Sequence, residues 1–265
     1  MRRPGNSSLW SSERGPMAYQ GMTVLVVVPA RGGSKSIPRK NICRVGGKSL
    51  VARAAGVARA LSWVDRAVLS TDDEDIAREG RAHGLEVPFM RPEALAGDLA
   101  SSVDMWRHAW LAAEDHYGLE FDLSILLEPT SPLRRAEDVE RTVAVLVEGG
   151  HPAAATVSVA PAHFTPHKCL TVDQEGRIGF FLQDGARFST RQNIPETFYY
   201  RNGVCYAVRR ETVVEKGRII EEDCAAVVIH RPLVNIDEPF DLELAEFLLQ
   251  RESRKGPSRD SEETD

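Results

Sequence analysis

Between Pro29 and Asn41 the chain reads PARGGSKSIPRKN, a pair of glycines set among cations. Arg31, Lys35 and Lys40 bring positive charge, and Ser34 adds a hydroxyl. Gly32 and Gly33 let the backbone approach a ligand closely and turn its N–H groups toward an anion. The chemistry such a set serves is the holding of a polyanion such as a nucleoside triphosphate. From Thr23 to Val64 no acidic residue occurs, while the segment holds Arg31, Lys35, Arg39, Lys40, Arg44, Lys48, Arg53 and Arg59. A charge run alone reads equally as a solvated basic loop. The paired glycines, Ser34 and the place directly after an apolar strand favour phosphate. Two familiar phosphate fingerprints are excluded. Gly47-Lys48-Ser49 ends like a P-loop, but the first glycine of that motif would fall on Ile42, and no G-x-G-x-x-G follows the first strand.

Nucleophilic and metal chemistry finds little else to use. The seven histidines do not cluster; His163 and His167 are four apart, but Pro166 between them argues against a helical metal pair. Cys43, Cys169, Cys205 and Cys224 lie too far apart for a CxxC pair and read as reduced thiols of a cytoplasmic protein. Cys169 and Cys205 are expected as small buried apolar groups without a paired base.

The elements that must position the loop follow from periodicity. Thr23–Pro29 is an unbroken β-branched run, as expected of a parallel strand covered on both faces. Helices are expected at 48–61, 72–83, 102–117 and 137–147, and strands at 67–70, 86–89, 123–128 and 153–159. This alternation predicts an α/β fold with a mostly parallel, Rossmann-like sheet, in which ligands bind at the carboxyl ends of the strands. After Pro161 the rhythm changes: strands at 168–172 and 178–182 around Asp173-Gln174-Glu175-Gly176 predict a hairpin inside a β-rich insertion, residues 161–200. The α/β pattern resumes with strands at 204–208 and 225–229. It closes with a helix at 240–249 whose apolar face is read as Phe240, Leu244, Phe247 and Leu248. Residues 1–21 and 251–265 are expected to be a disordered extension and tail around one folded domain, 22–250.

With 265 residues, 33 Lys plus Arg against 39 Asp plus Glu, and a net charge of −6, the chain is long enough for a sizeable core. It is too acidic for general binding to a nucleic acid polymer. No apolar run approaches the roughly 20 residues of a membrane helix, and no signal-peptide h-region is present. A cytoplasmic protein without a membrane partner is expected.

With these motifs the chain resembles the acylneuraminate cytidylyltransferases, or CMP-sialic acid synthetases, over roughly Val24 to Leu249. PARGGSKSIPRKN resembles that family's nucleotide motif. STDDEDIAREGRAHG, RPEALAGD, LLEPTSPLR, RQNIPETFYYRNGVCYAV and NIDEPFDLELAE resemble its later motifs in the same order. The resemblance implies the nucleotidyltransferase type of α/β fold and transfer of CMP from CTP to an acidic sugar with release of pyrophosphate. It also implies a magnesium cofactor and a homodimer in which each β insertion reaches the other subunit's site.

Carried over by position, Arg31, Gly32, Gly33, Ser34 and Lys35 meet the CTP phosphates. Lys40 then lies near the α-phosphate and Asn41 near the ribose or cytosine. Arg91 matches an arginine that reads the cytosine edge, or else makes a surface ion pair. Asp237 matches a magnesium ligand, and Arg31, Lys35, Lys40 and Asp237 form the catalytic set. Where the family commonly has two aspartates, this chain has Asn235-Ile236-Asp237, so Asn235 offers the metal only a neutral amide oxygen. Glu128 stands where the family typically has glutamine. It restores a carboxylate, as metal ligand or reader of the acceptor, or simply caps a turn. Lys168, Arg191 and Gln192 match the acceptor-carboxylate side, with Tyr199 and Asn202. Tyr206 belongs there or to a core strand, and Ser102 lies near the sugar or caps a helix. The implied acceptor is a 3-deoxy-2-ulosonic acid of the sialic, legionaminic or pseudaminic kind. Two other readings stay open: CMP transfer to a small phosphonate or other anion, and a nucleotide-binding relative inactivated by Asn235.

Overall fold

A computed structural model describes residues 19–188, 194 and 196–255. The strands are β1 (Val24–Pro29), β2 (Arg44–Val45), β3 (Lys48–Ser49), β4 (Arg66–Ser70), β5 (Leu123–Leu126), β6 (Ala153–Val159), β7 (Leu170–Val172), β8 (Ile178–Phe180), β9 (Tyr199–Arg209) and β10 (Ala225–Val228). The helices are α1 (Leu50–Ala60), α2 (Glu74–Ala82), α3 (Ser102–Tyr117), α4 (Ala136–Glu148) and α5 (Pro239–Lys255). Two compact units result, the smaller comprising Val157–Arg201 and Val228–Arg231.

The larger unit is built on a six-stranded sheet in the order β10-β6-β9-β5-β1-β4. Strand β1 pairs in parallel with β4 and with β5, registering Val27 against Val68 and Leu126. Residues Val24–Val28 have no solvent exposure, as a strand sandwiched between helical layers requires. Alanines 52, 54, 55 and 58 form the buried side of α1, whose N-terminus is capped by Ser49 Oγ accepting from Ala52 N at 3.0 Å. Asp73 caps α2 in the same way, accepting from Asp75 N and Ile76 N. Trp106 and Trp110 of α3 anchor the core with Phe121, and Trp106 donates its indole N–H to Ser124 Oγ at 2.9 Å.

Several local expectations change. Residues 86–89 form no strand; one bridge, Val68 to Glu86, ends the pairing, since Pro88 lacks a ladder donor. Strand β9 pairs antiparallel with β5. Gly46 and Gly47, at φ 56° and 77°, make the tight turn between β2 and β3, which is why Gly47-Lys48-Ser49 is a hairpin and not a phosphate loop. On α5 the expected Leu244 and Leu248 pack with Val45, Leu50 and Ile236, joined by Ala245, whereas Phe240 and Phe247 are exposed. The helix also continues past 251 to Lys255, its late turns held by an Arg135–Glu252 ion pair at 3.0 Å. At the other end Tyr19 stacks edge-on against Trp63, so the folded part begins before residue 22.

The smaller unit carries the predicted hairpin. Strands β7 and β8 pair antiparallel, and Asp173 closes their turn by accepting from Glu175 N and Arg177 N, with Gly176 at φ 79°. Its interior is aromatic: the buried His167 ring lies 4.1 Å from Phe188 and 5.3 Å from Phe198. Phe164, Leu170, Val172, Ile178, Phe180 and Phe181 are exposed. Cys169 is exposed as well, against expectation.

Candidate active site

The loop after β1 lies at the carboxyl ends of β1, β4 and β5. Main-chain bonds from Ala30 N to Ser70 O, and from Leu127 N to Val27 O, tie together the three loops that leave there. Its two halves are joined by Asn41, a buried residue whose amide donates to Arg31 O at 2.9 Å. Asn41 thus holds the backbone of a phosphate-side residue, a role its position in the motif did not reveal. Arg39, just before it, is in the left-handed region at φ 55° and is held by an ion pair to Asp75 at 2.6 Å. That kink turns Lys40 inward, and its ammonium donates to Ile236 O at 2.9 Å and meets Asp237 Oδ1 at 3.2 Å.

The remaining predicted cations separate into two groups. Arg31 and Lys35 converge on one carboxylate, Asp98, at 3.0 and 2.6 Å. The Asp98 carboxyl is lowered from its ordinary value because Lys35 hydrogen-bonds to it and both cations attract its charge. Arg44 and Arg53 instead serve the β2–β3 hairpin. Arg44 donates to Gly47 O, and Arg53 binds Val45 O and Gly46 O. Only part of the acid-free stretch therefore faces the site.

Gly32 has no room for a side chain, since a Cβ would lie 2.9 Å from Asp73 Cβ; its N–H donates to Asp72 Oδ1 at 2.9 Å. Around Gly33 there is open space, and Ser34 is half-buried beside it. Among the described residues Arg91 makes no ion pair at the surface. It is buried, donates to Ser70 Oγ at 3.0 Å and Ser70 O at 2.6 Å, and burial lowers its pKa to about 10. A guanidinium fixed at the end of β4 has the rigidity that reading a base edge demands.

Glu128, after β5, approaches Asn235 across Gly203 of β9. Gly203 has φ +69°, and a Cβ there would lie 2.7 Å from Glu128 Oε2, 3.0 Å from Ser131 Oγ and 3.6 Å from Asn235 Nδ2. Behind them sits Arg134, a buried guanidinium that donates to Glu128 O at 2.6 Å, Gly203 O at 3.1 Å and Val204 O. Burial lowers its pKa to about 10, and the same burial pushes the Cys205 thiol up to about 12. A further bond, Ile236 N to Thr130 O, joins the Glu128 loop to the Asn235–Asp237 segment.

Asp237 and Asn235 are exposed, and neither belongs to a cluster of three or more metal-binding side chains among the described residues. One carboxylate and one amide oxygen fit magnesium of the kind that takes its other ligands from substrate phosphates and water, and do not fit a closed protein cage.

Ser102 is the exposed first residue of α3. Tyr206 belongs to the buried cluster of Trp106 and Leu126. Asn202 is buried and internally engaged, its Oδ1 accepting from Thr156 Oγ1 at 2.6 Å and Val204 N at 3.1 Å. Lys168 ends the short turn Pro166–Lys168 in the smaller unit, where Tyr199 is exposed. Arg191 and Gln192 lie outside the described residues. Sequence reasoning missed Asp72, Asp98, Arg134 and Gly203. All four stand inside the recognised motif series, which was the available signal.

An α/β sheet whose first loop gathers cations at the carboxyl ends of its strands defines a nucleotidyltransferase-type protein. The chain belongs to the cytidylyltransferase family, whose sequence profile matches residues 25–221, and it is a CTP-dependent nucleotidyltransferase. Two curated relatives span most of it. The CMP-N,N'-diacetyllegionaminic acid synthase of Legionella pneumophila is 30% identical, covering 86% of this chain and 97% of that protein. The pseudaminic acid cytidylyltransferase of Campylobacter jejuni is 27% identical, covering 86% and 96%. In fold it is similar to a CMP:2-keto-3-deoxy-manno-octonic acid synthetase solved with CTP, with TM-score 0.63 and 19% identity over 86% of this chain and 99% of that one. Among the described residues no helix is long and apolar enough to cross a membrane.

Proposed function

We propose that this enzyme transfers CMP from CTP to a 3-deoxy-2-ulosonic acid of the legionaminic, pseudaminic or sialic kind, in the cytoplasm. The observation that carries the reading is that Arg31, Lys35 and Lys40, all in the loop that leaves the carboxyl end of β1, each already hold a carboxylate. Groups that bind carboxylates there bind phosphate oxygens by the same charge-assisted hydrogen bonds.

In this mechanism the acceptor's anomeric hydroxyl attacks the α-phosphorus in line. The bond formed joins the acceptor oxygen to the α-phosphorus and the bond broken joins the α-phosphorus to the α,β-bridging oxygen; pyrophosphate leaves with that electron pair, and the hydroxyl proton passes to solvent. Arg31 and Lys35 neutralise charge on the β- and γ-phosphates, and Lys40 does so at the α-phosphate. Asn41 keeps Arg31 in place, and Arg91 reads the cytosine. Asp237, with Asn235, would hold a magnesium ion that adds Lewis-acid neutralisation of the phosphates. Glu128 reads the acceptor beside Asn235. Lys168 and Arg191, with Gln192, orient the carboxylate of the acceptor held by the other subunit, across the dimer interface. The active form is a homodimer; the six exposed apolar side chains of the smaller unit, from Phe164 to Phe181, support a surface that a second copy covers.

The test is pyrophosphate release with CTP and Mg²⁺ over a panel of ulosonic acids and phosphonates. Release with an ulosonic acid and none without acceptor is expected. Release with phosphonates alone would replace the acceptor assigned here, and CTP binding without release from any acceptor would mark an inactive relative.

A further inference from the structure

Asp98 holds the two cations to which the phosphate reading assigns the β- and γ-phosphates. Its Oδ1 is 3.0 Å from Arg31 Nη2, and its Oδ2 is 2.6 Å from Lys35 Nζ. One carboxylate thus bridges both groups with its two oxygens, as two oxygens of a phosphate chain would. Arg31 also reaches Ala96 O at 3.4 Å, so the same guanidinium grips the 96–98 segment twice. The main-chain bonds of this stretch are local, from Ala96 N to Glu93 O at 2.9 Å and from Ala100 N to Gly97 O at 3.2 Å. The stretch is open to solvent: a Cβ at Gly97 would meet nothing within 4 Å, and Leu99 is wholly exposed.

We infer that Asp98 is an affinity-setting carboxylate: it occupies the polyphosphate cations in the nucleotide-free enzyme, is displaced by the triphosphate and returns as pyrophosphate leaves. This rests on the phosphate reading of Arg31 and Lys35. The physical content is an exchange. Binding of CTP breaks two ion pairs and makes stronger, multiply charged ones, so net affinity is the difference between them. Pyrophosphate, which shares those cations, is subject to the same competition, and this limits inhibition by the product. A lone CMP reaches only the Lys40 side, where Asp98 does not compete. A tethered polyphosphate thus displaces Asp98, whereas the enzyme with Asp98 in place holds small stray anions weakly.

The experiment is calorimetric titration of the full chain with CTP, pyrophosphate and CMP, for the parent enzyme and for D98N, D98A and K35Q. Exposed ion pairs are individually weak, so removing the competitor is expected to tighten CTP and pyrophosphate by roughly two- to tenfold and leave CMP unchanged. Product inhibition by pyrophosphate should strengthen by the same factor in D98N. K35Q should weaken CTP and pyrophosphate. If K35Q weakens CTP while D98N and D98A leave it unchanged or weaken it, the competition is refuted and the phosphate reading stands. If K35Q leaves CTP affinity intact, the phosphate reading fails and the Asp98 inference with it. Tightening of CMP by the same factor as CTP would also overturn the inference, because the effect would then be a general change in charge.

Discussion

Replacing Gly203 by alanine tests how tightly Glu128, Ser131 and Asn235 pack around it. At φ +69° an L-residue is strained, at a cost of roughly 1–2 kcal/mol. The new methyl would lie 2.7 Å from Glu128 Oε2 and 3.0 Å from Ser131 Oγ, so both must shift. Ser131 gives up a 3.2 Å bond to Asn202 O as it moves, and overpacking of this kind adds roughly 1–3 kcal/mol. G203A should therefore lose about 3 kcal/mol, a large part of a typical 5–15 kcal/mol. That corresponds to a fall in Tm of about 6–12 °C for a domain of this size. Differential scanning calorimetry of G203A, E128A and the double variant separates strain from overlap. Strain persists in the double variant, whereas removing the Glu128 carboxylate relieves its part of the overlap. A coupling energy of at least about 0.5 kcal/mol is expected. In kinetics, KM for the acceptor should rise in G203A while KM for CTP holds. A coupling within about 0.3 kcal/mol of zero, or an unchanged Tm, would refute the placement of Glu128 over Gly203.

R134M removes a buried guanidinium from three carbonyls and should cost about 3 kcal/mol, read as a fall in denaturant midpoint at constant slope. S49A removes the cap of α1 and a 2.6 Å bond to Glu79, and should cost about 1 kcal/mol by the same measurement. Asp75 is held below the usual carboxylate range by hydrogen bonds from Arg39 and Arg78. A depressed acid stabilises the fold above its unfolded value and loses that contribution as pH falls through its folded value. The stability difference between the parent and D75N should therefore be full at neutral pH and fade below about 3.8 in acid titrations followed by circular dichroism.

What the sequence made legible follows from the range of the forces involved. Strand β1 was plain because Val24–Val28 is apolar without interruption and is buried on both faces. The cation loop was plain because residue type and neighbours suffice to mark it. Periodicity shows which residues share a helix face, but not whether that face is covered. Phe240 and Phe247 fit the apolar stripe of α5 and yet are exposed, since Ala245 and Leu248 set the phase of the contact. Arg134 was invisible because its partners at Gly203 and Val204 lie about 70 residues away and are carbonyls, which every residue carries. Arg91 left two roles open, and only the fold shows it buried against Ser70.

The absence of acids from Thr23 to Val64 holds along the chain and not in space. The loop after β4 supplies Asp72 to Gly32 N–H, and α2 supplies Asp75 to Arg39. The segment before α3 supplies Asp98 to Arg31 and Lys35, and that before α5 supplies Asp237 to Lys40. Four later segments thus each contribute one carboxylate to one early loop, which fixes that loop before any nucleotide arrives. Bare like charges at such spacing would repel one another and splay the loop. With carboxylates in place the cations are already oriented, and in the proposed binding mode a triphosphate would replace partners instead of assembling them. In that binding mode the competing carboxylates would lower net affinity, while the preorganised cations would need less reorganisation as charge grows on the leaving pyrophosphate. An enzyme that must release its product gains from that exchange, and the net charge of −6 arises partly from the acids that make it possible.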